Sequence, residues 1–478
     1  MNVPSIKATA ASLAQLNKNA PTHGKIESLG STAFGPSRSL QRFRLSNGLG
    51  ILLLEDDSAP VLAYHTWYRV GSRHERPGKT GMAHLFEHLM FNETENLAKG
   101  EFDRVLERAG AESNASTWLD FTQYNIASPS AELPLLVKIE ADRMQHLVLR
   151  EPQLVSEKEV VANERRFRVD DDVEGTMNEE LWKAAYTEHA YHWPTIGWMQ
   201  DILNFTTEDC EEFYRSFYSP NNATVTIVGD FEVHETLRLI QAAYGEIPAQ
   251  ALPVEDIQPE PPQLEERRIE LTKPSVGDKL SIGYKGPALG DADHVPLSLL
   301  CEILFGGRAS RMYKLLVRDL EIATDVRMSV GPFHDPGLVD VYVSLRAGKS
   351  AESALELVDR EFARVCQEPV SEAQIERARC RFELGMLHGL ETAEGRAQTI
   401  GFYDCVLGRP AAAFERLEAL RRVTASDLLR VARRYLIPTR RTMVIVRPSS
   451  ADDAVTSKTS ATDPPATNAT SANKMEPE

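Results

Sequence analysis

The sequence lacks the long apolar run that a bilayer-spanning helix needs, so we expect no membrane span. Cysteine is scarce: the five cysteines are scattered, odd in number and without a C-x-x-C pair. That pattern favours buried thiols or a reducing compartment over a disulfide framework. Basic side chains are outnumbered 53 to 70, giving a net charge of −17. Such a chain would repel nucleic acid phosphates, and we expect no nucleic acid partner.

The remaining composition is that of a globular chain, with 478 residues of which 42% are hydrophobic and 26% charged. This length allows about two or three domains. Residues 1–39 carry few charges and show no basic segment followed by an apolar core, so no secretory signal is visible. We interpret them as an N-terminal extension and expect a cytoplasmic protein. A periplasmic or organellar location is the alternative if the extension is a targeting segment.

A helix is predicted around the sequence His84-Leu-Phe-Glu87-His88. The neighbouring apolar side chains recur at helical spacing: Met82, Leu85, Phe86, Leu89 and Met90. Residues four apart lie on one helical face, so both imidazoles can reach one ion, and zinc accepts such a pair. Glu87 lies beside them, where it can polarise a water. A surface helix with two histidines and no metal is the alternative.

A second helix is predicted to start at Ser156, which forms a capping-box pattern with Glu159. Glu157 and Glu164 are seven apart and therefore share a face of that helix. Carboxylates on one face repel each other unless a cation or a proton lies between them. The pair therefore supplies a candidate third metal ligand, although a solvated acidic stripe is also possible.

These two segments, with Glu164 following His88 by 76 residues (164 − 88), resemble the pitrilysin/insulinase family of zinc metallopeptidases. The closest likeness is to the short processing-peptidase branch, the mitochondrial processing peptidase and its bacterial relatives. The resemblance implies a zinc endopeptidase with one zinc per chain, held by His84, His88 and Glu164. It also implies Glu87 as the general base and Glu157 as a supporting carboxylate outside the ligand set.

The segment from Ala111 to Tyr124 is rich in Thr and aromatic residues and is predicted to be a strand. In the family, the matching Asn-Ala segment is an edge strand to which an extended peptide substrate adds itself. The resemblance therefore implies substrate contacts at Asn114, Ala115 and Ser116. An ordinary structural strand is the alternative.

An internal repeat indicates that the chain contains two copies of one domain. A helix, a proline and a strand recur at an offset of 218 residues in three pairs: Asp209 and Asp427, Pro220 and Pro438, Val228 and Val446 (427 − 209, 438 − 220, 446 − 228). Repetition at so long a period is typical of a domain duplication. We therefore predict an α+β fold of two homologous domains, each an antiparallel or mixed sheet packed with helices.

The second copy lacks the metal ligands, since the same offset takes His84 to Glu302 and His88 to Gly306. The predicted division is an extension (1–39), a zinc-bearing domain (40–248), a proline-rich linker (249–265), a domain without the metal (266–449) and a disordered tail (450–478). The tail is predicted to be disordered because it has almost no large apolar side chains.

The second domain contains Arg396 and Tyr403, seven residues apart on one predicted helical face. Family members carry an Arg and a Tyr at this spacing, and the resemblance implies that they stabilise the oxyanion of the reaction. A two-domain chain implies a chamber formed by two subunits, either a homodimer or a heterodimer with a related zinc-less subunit. The rival hypothesis is a non-catalytic structural or assembly subunit of a processing-peptidase-like complex.

Overall fold

Two α+β halves follow one another along the chain in the computed structural model, which describes residues 10–449. Each half is a sheet with helices packed on both faces. Within the described residues, no helix is both long enough and apolar enough to span a bilayer. The predicted tail, 450–478, lies outside the described residues.

The first half is organised around a mixed sheet. Its strands are β1 (Ile26–Phe34), β2 (Arg38–Leu45), β3 (Gly50–Glu55), β4 (Val61–Tyr68), β5 (Glu112–Thr117), β6 (Thr122–Pro129) and β7 (Ala223–Gly229). Within residues 10–449 they lie in the order β1-β2-β3-β7-β4-β6-β5. Strands β3 and β7 are parallel, with Gly50 opposite Thr224, and the other neighbours are antiparallel. Strand β7 is central because every one of its residues, mostly β-branched, is buried.

The helices of the first half cover both faces of this sheet or lie beside it. They are α1 (Ala10–Lys18), α2 (Met82–Leu89), α3 (Glu101–Ala109), α4 (Leu133–His146), α5 (Glu151–Arg165), α6 (Val173–Ala185), α7 (Met199–Leu203), α8 (Thr207–Phe217) and α9 (Val233–Tyr244). A π-helical turn, Arg166–Asp170, continues α5.

The second half has a smaller sheet. Its strands are β8 (Arg267–Lys273), β9 (Lys279–Lys285), β10 (Ala323–Val330), β11 (Leu338–Leu345) and β12 (Arg441–Pro448). Its helices are α10 (His294–Phe305), α11 (Ala351–Val365), α12 (Glu372–Gly389), α13 (Ala393–Leu407), α14 (Ala412–Arg422) and α15 (Ala425–Tyr435). A π-helical segment, Tyr313–Asp319, precedes β10.

The two sheets repeat one topology. The second sheet has the order β8-β12-β9-β11-β10, which matches β3-β7-β4-β6-β5 of the first, and in both cases only the first two strands of the series are parallel. Helices α8 and α15 start with the same capping box, Thr206 with Asp209 and Thr424 with Asp427. The predicted fold class, an α+β chain with two sheets packed with helices, is therefore confirmed.

Each half also covers the sheet of the other. Helix α13 of the second half packs its Ala397 and Ile400 on the first sheet, against Leu52 and Val228. Helix α6 of the first half packs on the second sheet in the same way, with Met177, Leu181 and Ala185 against Leu338, Val444 and Val446. Because each sheet needs the other half to bury one face, the two halves form a single folding unit.

Three local expectations differ from the structure. Residues 26–34, assigned from sequence to the extension, form β1 at the edge of the first sheet; the strand is polar and buries only its two ends, Ile26 and Phe34. Helix α5 begins at Glu151, not Ser156, because Pro152 is tolerated in a first helical turn. The strand predicted over Ala111 to Tyr124 is a hairpin, β5 and β6, since residues 118–121 turn the chain.

The contact between α13 and the first sheet predicts the effect of one substitution. A Cβ on Gly401 would lie 2.0 Å from Trp67 Nε1 and 2.3 Å from Cε2. Gly401→Ala should therefore push the two halves apart and lower the free energy of unfolding by about 1–3 kcal/mol. Gly385→Ala, in α12 with nothing within 4 Å of the added Cβ, is the control and should stabilise by about 0.5–1 kcal/mol. Urea titration measures both, and a Gly401→Ala protein as stable as wild type would contradict the packing described.

Candidate metal centre

Helix α2 is fixed to the first sheet by its apolar stripe. Leu85, Phe86 and Leu89 are buried in the core of the first half, and the Tyr124 hydroxyl of β6 donates to the carbonyl oxygen of Phe86 at 3.0 Å. With this stripe buried, the opposite face of the helix carries His84, Glu87 and His88 towards α5. The sequence prediction of this helix and its two faces agrees with the structure.

The start of α2 is capped by a buried carboxyl group rather than by a residue of its own turn. Gly81 takes a left-handed conformation (φ +91°) at the N-cap. The two oxygens of Glu75 accept the N–H groups of Gly81 at 2.8 Å and Ala83 at 2.7 Å. Burial raises the pKa of Glu75 to about 8, and the nearby Asp201 adds to the rise. Glu75 therefore sets the position of the first turn, which carries His84.

A glycine contact joins α2 to the end of α5. Gly81 and Gly197 approach so closely that a Cβ on Gly197 would lie 2.5 Å from Gly81 Cα. The carbonyl oxygen of Gly197 accepts a hydrogen bond from Arg165 at 2.8 Å. Arg165 is buried and also pairs through both terminal nitrogens with Glu179 of α6. Because Arg165 directly follows Glu164, this contact holds Glu164 opposite α2.

The structure brings His84, His88 and Glu164 together. Their potential ligand atoms all lie within 4.8 Å of one another. Glu164 Oε2 lies 3.7 Å from His84 Nε2 and 3.3 Å from His88 Nε2, and the two imidazole rings have centroids 5.0 Å apart. Donor atoms about 2.0–2.2 Å from a tetrahedral zinc are roughly 3.3–3.6 Å from each other. Two imidazoles and a carboxylate at these spacings therefore fit a zinc ion.

The protonation states also suit a metal. Burial, helped by the neighbouring His88, lowers the pKa of His84 to about 4, so its imidazole is neutral near pH 7. The pKa of His88 is raised. Burial alone would lower it, but the hydrogen bond with Glu164 and the surrounding carboxylates have the larger, opposite effect. The hydrogen bond from His88 lowers the pKa of Glu164, which stays ionised. A cation between them would replace the proton that His88 and Glu164 share.

Glu87 is half-buried on α2, next to the edge strand β5. Burial raises the pKa of its carboxyl, while hydrogen bonds from the hydroxyl and backbone N–H of Thr117 oppose the rise. A carboxylate whose proton affinity is raised in this way is suited to accept a proton near neutral pH. Thr117 could not be found from the sequence, because its contact with Glu87 depends on how β5 packs beside α2.

Glu157 lies outside the group of three. Its Oε2 is 3.9 Å from His88 Nδ1, and its Oε1 accepts a hydrogen bond from the side-chain amide of Asn92 at 3.2 Å. This position, behind the imidazole, suits a carboxylate that orients the ring rather than one that binds the ion.

Arg168, which the sequence analysis does not single out, forms an ion pair with Glu164, with its guanidinium 3.0 Å from Glu164 Oε1. Its i, i+4 spacing from Glu164 is a signal that the sequence offered.

The candidate substrate-contact residues lie on β5, at one edge of the first sheet. Asn114 is exposed and pairs in register with Asn125 of β6. Ala115 packs against the core of the first half, and Ser116 is half-buried. Strand β5 contacts α2, and Thr117 at the end of the strand hydrogen-bonds to Glu87.

Arg396 and Tyr403, both on α13, are not brought to the metal centre of their own chain. Helix α13 covers the sheet face opposite α2. The Arg396 guanidinium pairs with Asp56 and donates to the carbonyl oxygens of Leu390 at 2.8 Å and Glu391 at 2.9 Å. Tyr403 instead lines a cavity in the second half. In this arrangement Arg396 holds the two halves together.

Comparison with known proteins adds to this geometry. Residues 51–197 match the family model described as insulinase (peptidase family M16), and residues 204–381 match the one described as peptidase M16 inactive domain. A zinc protease of Helicobacter pylori, PqqE, is 31% identical over 417 residues, covering 84% of this chain and 92% of the relative.

Solved structures show the same fold. A protease from Helicobacter pylori superposes with a TM-score of 0.81 at 28% identity, covering 90% of this chain and all of that one. A chain of complex III2 from Candida albicans superposes with a TM-score of 0.72 at 16% identity, covering 85% of this chain and 95% of that one. The latter likeness concerns the fold alone.

The cap of α2 predicts an effect at a distance from the metal ligands. Glu75→Gln leaves an amide N–H facing one of the two backbone N–H groups, so the first turn should shift and zinc affinity should fall about 10- to 100-fold. The control is Glu232→Gln, because Glu232 also caps a helix with both of its carboxylate oxygens, accepting the backbone N–H groups of His234 and Glu235 at the start of α9. Competition with a zinc-binding dye measures both; an equal loss in the two variants, or none in Glu75→Gln, would contradict a positioning role for Glu75.

Proposed function

The chain belongs to the insulinase (M16) family of peptidases, and on that premise we propose that it is a zinc-dependent endopeptidase acting on peptides or unfolded segments. The close approach of His84, His88 and Glu164, with Glu87 beside them on α2, supports this proposal most strongly. Its zinc protease relatives support the same chemistry.

The candidate ligands come from two helices. His84 and His88 from α2 and Glu164 from α5 would hold one zinc ion, with Glu157 orienting the ring of His88 from behind. When bound, zinc supplies a Lewis acid that polarises the scissile carbonyl and acidifies water. A single anionic ligand leaves the ion with net positive charge, which that chemistry requires.

Glu87 is the proposed proton carrier. Its carboxylate takes a proton from the attacking water and gives it to the leaving amine nitrogen, so that the amine departs neutral. The hydrogen bonds from Thr117 hold the carboxylate in place. The raised pKa of Glu87 supports this role, because a stronger base accepts the proton more readily.

Substrate is proposed to bind as an additional strand along the free edge of β5. Backbone groups of Asn114, Ala115 and Ser116 would pair with an extended peptide, whatever its side chains. Since β5 lies beside α2, a peptide bound there passes close to Glu87. Recognition through the backbone predicts broad sequence tolerance.

Two such chains are proposed to face each other and enclose a chamber, either as a homodimer or with a related zinc-less subunit. Arg396 and Tyr403 would then stabilise the oxyanion in the partner's site. To contact the partner's substrate, Arg396 has to break its ion pair with Asp56. The proposal therefore includes a rearrangement of Arg396 on assembly.

The alternative is a non-catalytic structural or assembly subunit. The inactive-domain match over 204–381 and the fold of the Candida albicans complex III2 chain keep this alternative open. The full set of two imidazoles, a third carboxylate ligand and an adjacent Glu87 favours catalysis, because a scaffold has no need of them. Bound zinc together with chelator-sensitive peptide cleavage distinguishes the two.

Two substitutions separate metal binding from proton transfer. His84→Ala should abolish stoichiometric zinc binding and leave a folded protein, because the apolar stripe of α2 is untouched. Glu87→Gln should retain zinc but lower kcat about 10²- to 10⁴-fold, since the amide cannot accept the proton. Elemental analysis and peptide hydrolysis measure both.

The matched control is His388→Ala, an exposed histidine of α12 that pairs with Glu391; it should keep both zinc and activity. Full zinc occupancy in His84→Ala would refute the ligand assignment. Near-wild-type hydrolysis by Glu87→Gln would remove Glu87 as the base.

The role of Arg396 is tested by mixing inactive chains. If Arg396 serves the partner's site, Arg396→Ala and Glu87→Gln chains should recover partial activity when mixed, since one site then has both groups intact. Asp56→Asn frees the guanidinium without removing it and should keep more activity than Arg396→Ala. If instead Asp56→Asn and Arg396→Ala lower the free energy of unfolding equally and both keep the kcat of the wild type, the role of Arg396 is purely structural. A protein that is active as a monomer would refute the two-subunit chamber.

A further inference from the structure

The second half contains a cavity at the position that corresponds to the metal centre of the first. It has a volume of about 530 Å³ and lies among α10, α12, α13 and α14. The offset of 218 takes His84 to Glu302 and Glu164 to Phe382 (84 + 218, 164 + 218), and both residues line it. Two residues that line this cavity therefore stand where the first half has the candidate metal ligands His84 and Glu164.

The lining is largely apolar, with polar groups confined to a few positions. The apolar side chains are Val295, Phe382, Met386, Ala413, Leu417 and Leu420. Of the charged groups, Glu302 is paired with Arg381, so these two neutralise each other. Arg416 is the other charged residue of the lining.

In the part of the chain that the structure describes, the hydrogen-bond partners of Arg416 are uncharged. Its guanidinium donates to the carbonyl oxygen of Leu289 at 2.9 Å and contacts His294 Nδ1 at 2.8 Å, and the Tyr403 hydroxyl is a further hydrogen-bond partner. His294 is neutral, because burial lowers its pKa to about 4 and its Nε2 lies 3.1 Å from the carbonyl oxygen of Gly331. This contact leaves Nδ1 as an acceptor for Arg416.

Among the described residues, no carboxylate neutralises the charge of Arg416. Across residues 10–449, Arg416 has no Asp or Glu oxygen within 4.0 Å of its nitrogens, and burial lowers the pKa of its guanidinium. Removing a cation from water without a counter-ion is costly. A guanidinium has five N–H donors in a fork that matches a carboxylate. The three contacts above leave donors free for such a ligand.

We propose that this cavity binds a small amphipathic monoanion, an alkyl carboxylate, whose head group pairs with Arg416 and whose chain lies against Phe382, Met386 and Leu417. The volume falls within the range of about 300–1,000 Å³ typical of small-molecule sites. The ligand supplies the negative charge that the fold does not, and the apolar lining gives its hydrocarbon chain a place out of water. The site contains none of the candidate zinc ligands and shares only Tyr403 with the groups assigned above to the peptidase reaction.

The test uses the full chain and calorimetric titration with decanoate, decanol and acetate, all below the concentration at which decanoate forms micelles. We expect decanoate to bind at least tenfold more tightly than either decanol, which lacks the charge, or acetate, which lacks the chain. Equal affinity for decanoate and decanol, equal affinity for decanoate and acetate, or no binding of decanoate would each overturn the proposal.

Two variants locate the site. Arg416→Gln should weaken decanoate binding at least tenfold while leaving decanol binding unchanged, and should raise the Tm of the ligand-free protein because a half-buried cation without a carboxylate partner is removed. Arg422→Gln, an exposed arginine on the same helix, is the matched control and should bind decanoate like wild type. Unchanged decanoate affinity in Arg416→Gln, with the protein folded, would refute the assignment even if decanoate binds elsewhere.

Discussion

The position of Glu164 between two imidazoles is the constraint on which the rest of the first half depends. His84 and His88 come from one helix, but Glu164 comes from another, 76 residues after His88 along the chain (164 − 88). A shift of one helix by a fraction of a turn would separate the group. The contact between Gly81 and Gly197, and the hydrogen bond from Arg165 to the same loop, fix both helices to one point.

Duplication explains why the molecule needs two halves although only one carries the candidate metal ligands. Each half places a helix, α6 or α13, on the sheet of the other, so neither sheet is complete alone. The second half can therefore lose its ligands without losing its structural purpose. Where the first half has His84 and Glu164, the second has Glu302, paired with Arg381, and Phe382. The helices α10 and α12, which line the cavity of the second half, also supply buried side chains to its core.

Those features that depend on spacing within one element could be predicted from sequence. The two faces of α2 follow from helical periodicity, and the duplication follows from a constant offset. What sequence could not supply are contacts between distant segments. Glu75 and Gly197 reach α2 only through the fold, and the Arg396 spacing identifies a helical face without revealing that Asp56 lies against it. A capping-box pattern at Ser156 likewise cannot reveal that the helix already started at Glu151.

Anomalous diffraction at the zinc absorption edge, from crystals of the zinc-loaded protein, would show whether α2 and α5 together form a zinc site. We expect one strong peak per chain, about 2.0–2.2 Å from nitrogen atoms of His84 and His88 and an oxygen atom of Glu164, and none in the cavity of the second half. A peak elsewhere, or a fully active protein with no peak between these three side chains, would contradict this assignment.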